Sequence, residues 1–103
     1  MDNIELMSFK IIAAVGEARS MYIEAINDAK NGNFIEAKKK LADGEKIFIV
    51  GHHEHSNLLS SMANGEKIEP SILLIHAEDQ LMTADAFKVI AQEFIYLYER
   101  ISL

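Results

Sequence analysis

The chain has 103 residues, half of them hydrophobic and a quarter charged, with a formal net charge of −6 at pH 7 and no cysteine. That composition fits one globular domain, residues 1–103, and excludes disorder, a disulfide framework, a thiolate metal site and a cysteine nucleophile on this chain. The acidity excludes the basic footprint of a nucleic-acid binder, and no apolar run approaches the roughly eighteen residues that a membrane helix needs.

With no signal-type N-terminus, the expectation is a cytoplasmic protein with no nucleic-acid partner and no direct membrane insertion. The one basic run, Lys38-Lys39-Lys40, reads as a solvated helix face. The negative surface can instead attract a basic protein partner.

Residues 3–30 carry a helical period through Ile4, Met7, Ile11, Ala14, Ala18, Met21, Ala25 and Ala29, widened by Ile12, Val15, Tyr22 and Ile26. Gly16 interrupts this helix and is read as the close approach of a neighbouring helix, or else as room for a bulky group opposite. Asn31-Gly32-Asn33 then supplies a stop and a start. Gly32 suits the left-handed residue that ends a helix, while Asn33 and Glu36 form a capping-box-like pair for the next one. Such a tight connection predicts an antiparallel return.

The second helix is predicted from Phe34 to Met62, with Ala37, Leu41, Gly44, Phe48, Gly51, His55 and Leu58 between them on one stripe. Ile47-Phe48-Ile49-Val50 alone reads as a strand, but the heptad on both sides outweighs it. Gly44 and Gly51 suggest tight contact or a bend. Asn64-Gly65 closes the helix, and Glu66 to Glu69 form a short polar loop.

Pro70 suits the first turn of a third helix, and from Ile72 onward no Gly or Pro appears, allowing about thirty residues or roughly 45 Å. Ile72, Ile75, Asp79, Met82, Ala86 and Val89 share one face. Leu74, Ala77, Leu81, Ala84, Ala91, Ile95 and Tyr98 form a second. The fold expected is an all-α, antiparallel up-down-up three-helix bundle. A bundle needs only one of the two faces for its own core, so copies of the chain should cover the other.

The chemistry is concentrated on this helix. Walker, GxGxxG, GxSxG and HExxH signatures are absent, as are the Glu-x-x-His pairs of di-iron bundles. In His52-His53-Glu54-His55 only His52 and His55 can share a helix face, and without a third ligand the cluster is not read as a metal site. His76 sits at the edge of the stripe that holds Asp79. A carboxylate on an apolar stripe is costly unless paired, and no Lys or Arg lies three or four residues from it. If that stripe forms a symmetric seam, copies of Asp79 face one another and need a proton or a hard divalent cation.

The segment Leu74-Ile75-His76-Ala77-Glu78-Asp79-Gln80-Leu81-Met82 resembles the active-site segment of the lactose/cellobiose-family IIA components of the bacterial phosphoenolpyruvate-dependent sugar phosphotransferase system. Gly16 to Ser20, Ala29 to Ala37 and His52 to Leu59 extend the resemblance over nearly the whole chain. It implies a homotrimer, a nine-helix assembly, in which His76 accepts a phosphoryl group from the histidine of HPr and passes it to a cysteine of the IIB component. It also implies the tele nitrogen of His76, a choice that residue types alone do not make.

Asp79 matches the family's buried trimer-axis position, which binds a divalent ion, commonly Mg2+. Gln80 stands where many relatives carry a second histidine and is a candidate support for the ring or the phosphoryl oxygens. Gly51 and Ser56 stand where Ala and Thr are common. The sugar implied is lactose or a cellobiose/chitobiose-type disaccharide, and sequence does not choose between them. The rival reading is a helical adaptor without chemistry, in which His76 is structural.

Overall fold

A computed structural model describes residues 2–102. Three helices, α1 (Asn3–Lys30), α2 (Phe34–Ala63) and α3 (Ile72–Ile101), run up, down and up in a body of 55 × 23 × 19 Å. The Asp2 carboxylate starts α1 by accepting from Glu5 N at 2.8 Å, and the Ser71 hydroxyl starts α3 by accepting from Leu74 N at 3.1 Å. These caps satisfy amides that have no partner inside the helix. Pro70 therefore precedes the cap of α3 and lies outside the helix, a correction to its expected place in the first turn.

Both connections close in the same way. Gly32 and Gly65 take φ of 83° and 88°, and each helix ends with a pair of crossed backbone bonds. Gly32 and Asn33 donate to Ala29 O and Asp28 O, while Gly65 and Glu66 donate to Met62 O and Ser61 O. Asn33 does not cap α2 with its side chain. The first link is so short that Asn33 also completes the closure of α1, and its ψ of 66° is not the extended conformation that aims a cap. The Ile47–Val50 run is helical: Phe48 is buried and Ile49 and Val50 are exposed, as a period of 3.6 requires.

The core centres on α1. Ile11, Val15, Ala18 and Tyr22 pack with Phe48 and Leu58 of α2 and with Ala77, Leu81, Ala84 and Ala91 of α3. A second cluster, Ala25, Ala29, Ala37 and Ile95, fills the far end. The alanine-rich contacts let the helices approach closely. Gly44 and Gly51 do so more strongly, since an added Cβ would stand 2.8 Å from Tyr22 Cε1 and 2.7 Å from Val15 Cγ1 respectively. Gly16 has nothing within 4 Å of such a Cβ, so the close approach expected there is absent within the chain.

The two glycines make opposite predictions. Gly16→Ala is expected to stabilise the chain by about 0.5–1 kcal/mol through helix propensity alone. Gly44→Ala should destabilise it by about 1 kcal/mol or more, because strain against the buried Tyr22 ring outweighs the propensity gain. Denaturant midpoints of the two variants check both signs.

Of the two apolar faces of α3, the core uses Ala77, Leu81, Ala84, Ala91 and Ile95. The face with Asp79 stays at the surface, with Ile72 88 %, Ile75 61 %, Met82 70 % and Val89 52 % exposed. Such a row is unusual for a solitary helix bundle.

Tyr22 is wholly buried, and its hydroxyl finds no hydrogen-bond partner. Burial, reinforced by the nearby Glu45 and Asp85 carboxylates, pushes its phenol above the ordinary range. The unfolded chain releases this proton near pH 10 while the folded chain keeps it, so stability falls with rising pH beyond about 10, at up to about 1.4 kcal/mol per pH unit. Tyr22→Phe should lessen that alkaline loss and cost little near neutrality, because it also removes an unpaired hydroxyl. Identical pH slopes in thermal melts of the two proteins would refute this.

Candidate functional site

His76 is presented by the second turn of α3, near the end of the bundle where α1 begins and α2 finishes. The Ser71 cap fixes where the helix starts, and the neighbouring Ala77 is fully buried against the core. Anchoring one residue inward turns the previous one outward, about 100° round the helix. The His76 imidazole is accordingly exposed, on a helix that the buried Ala77 holds against the core.

Asp79, three residues on, is also exposed in the single chain and takes no part in the four ion pairs of the described residues. Gln80 is half-buried one turn beyond His76, within the reach of an (i, i+4) pair, but makes none of the side-chain hydrogen bonds found among the described residues. It is thus a neighbour of the ring without being its partner in this state.

The remaining histidines lie on the neighbouring part of α2. His52 and His53 are exposed, and His55 is half-buried. His52 sits between Phe48 and His55, its ring centroid 6.2 Å from each. The Nδ1 of His55 lies 2.6 Å from Glu78 Oε2 of α3. That is ion-pair distance, but the two groups are not aligned for a hydrogen bond, and the buried nitrogen has no other partner. Among the described residues no group of three or more His, Asp or Glu side chains within the chain is arranged to hold a metal ion.

Glu78 is the residue that sequence reasoning overlooked. A signal for it existed: His55 stands on the core stripe of α2, so it needs a polar partner across the seam. The antiparallel register supplies one. Glu45 of α2 meets Lys88 of α3 at 2.9 Å, and ten residues along one helix and ten back along the other bring His55 to Glu78.

Chemically, the site offers an exposed nucleophilic imidazole on a fixed support. An exposed imidazole is a side chain able to act as a nucleophile toward phosphorus. Comparison with known proteins points to the same chemistry. The family profile described as "PTS system, Lactose/Cellobiose specific IIA subunit" matches residues 6–99. The lichenan-specific phosphotransferase enzyme IIA component of Bacillus subtilis (strain 168) is 42% identical over 101 residues, covering 98% of this chain and 92% of that protein.

Among solved structures, the PTS cellobiose-specific enzyme IIA from Bacillus anthracis superposes with a TM-score of 0.96 at 40% identity, covering 99% of this chain and 94% of that one. A chain of the IIA(chitobiose)–HPr complex superposes with a TM-score of 0.87 at 26% identity over all of both chains. A match of this extent to sequence profile, relative and fold alike places the chain in the lactose/cellobiose-specific IIA family of the sugar phosphotransferase system.

Proposed function

We propose that this IIA component carries its phosphoryl group on the tele nitrogen, Nε2, of His76, taking it from HPr and passing it to a cysteine of a IIB component. The observation that carries this reading is an exposed imidazole on a helix anchored by the buried Ala77 and Leu81, within the motif His76 to Met82. In the first step the P–N bond of phospho-HPr breaks as a P–N bond to His76 forms. In the second, the phosphoryl group leaves His76 for a thiolate, which must be on another chain because this one has no cysteine. Transfer between two such nucleophiles depends mainly on in-line positioning and charge neutralisation.

A relative whose solved structure is a complex with HPr supports that donor. The transported sugar is lactose or a cellobiose/chitobiose-type disaccharide, β-linked like the glucan for which the Bacillus subtilis relative is named. The chain acts in the cytoplasm. None of its described helices is long and apolar enough to cross a membrane. Gln80 supports the phosphorylated ring or its oxygens from one turn away.

The assembly proposed is a homotrimer built on the exposed face of α3. Ile72, Ile75, Met82 and Val89 supply apolar area to bury, and three copies of Asp79 then converge in the seam. Their donors are carboxylate oxygens alone, which fits a hard divalent ion, Mg2+ above all. When bound, that ion offsets the repulsion among the carboxylates and has no part in the transfer step.

Reconstitution tests the reading. With phosphoenolpyruvate, enzyme I and HPr, the chain should gain the mass of one phosphoryl group, labile in acid and discharged when the cognate IIB is added. A chain that gains no phosphate under those conditions is the adaptor of the rival reading.

A further inference from the structure

The seam between α2 and α3 holds an ion pair at three heights. Lys38 meets Glu99 at 3.0 Å, Glu45 meets Lys88 at 2.9 Å, and His55 meets Glu78 at 2.6 Å. The first two join lysine to glutamate. The third uses an imidazole, and its carboxylate belongs to the residue two places after His76.

That position makes Glu78 an electrostatic liability. A phosphoryl group arriving at His76 brings close to two negative charges, and a carboxylate within a Debye length opposes it. Residues two apart do not share a helix face, so a Glu78 side chain drawn to α2 points round the helix from His76. His55 draws it there, with its own ring confined on the other side by His52 and, beyond it, Phe48. At 2.6 Å the protonated ring attracts the carboxylate by charge, without an aligned hydrogen bond between them.

We infer that His55 is a positioning residue for phosphoryl transfer: it holds the Glu78 carboxylate against α2 and keeps its charge off the side of α3 that accepts the phosphoryl group. This rests on His76 being the acceptor. Freed of His55, Glu78 swings through solvent beside the site, and its charge slows the approach of phospho-HPr.

The test is the initial rate of phosphoryl uptake by the full chain from phospho-HPr, at low and high salt. His55→Ala should lower the rate about fivefold at low salt, the size of effect expected for a solvated charge near a dianion, and by less at high salt. His55→Lys, which rebuilds the lysine–glutamate pair of the other two heights, should keep the wild-type rate. The double variant His55→Ala/Glu78→Gln should recover it, because the unwanted charge is gone.

A double variant as slow as His55→Ala, or a slow His55→Lys, would overturn the inference and leave His55 a packing residue. So would an unchanged rate for His55→Ala. Wild-type label found anywhere but His76 would instead defeat the acceptor assignment, so the two failures are distinct.

Discussion

His76→Ala is expected to abolish phosphoryl uptake from phospho-HPr, by at least about a thousandfold, since it removes the proposed acceptor atom itself. The loss should come without unfolding. The ring is exposed and takes no part in the core, and alanine is the best helix former. Helical circular dichroism and the unfolding midpoint should therefore match the wild type within about 0.5 kcal/mol.

Folding and activity thus separate at one position, which the adaptor reading does not allow. In that reading the substitution changes no phosphorylation, because none occurs. A variant that still takes up phosphate at the wild-type rate would move the acceptor elsewhere. The exposed His52 and His53 on α2 are then the next positions to test.

The second large effect concerns Asp79. In the proposed trimer, an ionised carboxylate in the middle of an apolar seam would be stabilised only while the ion it shares remained bound. Replacing buried charges by well-packed apolar side chains is commonly neutral or stabilising by about 1–4 kcal/mol. Asp79→Leu lies between Ile75 and Met82, both more than half exposed in the single chain, and extends their stripe. The variant should keep or strengthen the trimer in sedimentation equilibrium and retain no stoichiometric Mg2+ after dialysis. Chelation with EDTA should weaken the wild-type assembly and leave the variant untouched. A variant that falls apart into monomers would show that the carboxylate organises the trimer by some other means.

How far the amino-acid sequence anticipates this structure depends on the range of the interaction involved. Helix bounds at residues 30, 34 and 72 follow from local chemistry: left-handed glycines at 32 and 65, and an apolar period between them. Caps proved subtler: Asn33 closes α1 through its backbone and does not cap α2 with its side chain, and Ser71 takes the cap of α3, which leaves Pro70 outside the helix.

Gly16, Gly44 and Gly51 look alike in sequence. Only the last two face a neighbour, Tyr22 and Val15, and that depends on how the helices pack. On α3 the period reveals two apolar faces without saying which one turns inward. The alanines at 77, 84 and 91 decide it, since only small side chains let α3 lie close to α1.

At the site, the edge position of His76 was legible from the stripe through Ile75, Asp79 and Met82, and its exposure from the transfer role that the resemblance implied. The unpaired state of Asp79 was legible too. Glu78 was not, since its partner His55 is brought to it by the register of two antiparallel helices and by nothing nearby in the chain. Local patterns therefore expose a lone surface histidine more readily than a contact made between two helices.

The most direct measurement is the position of the phosphoryl group on the wild-type chain after the relay has run. Fragmentation under conditions that preserve phosphohistidine should place the added mass on His76, with none on His52, His53 or His55. Label on the α2 histidines, or a phosphoryl group that survives acid, would contradict the assignment on which the account depends.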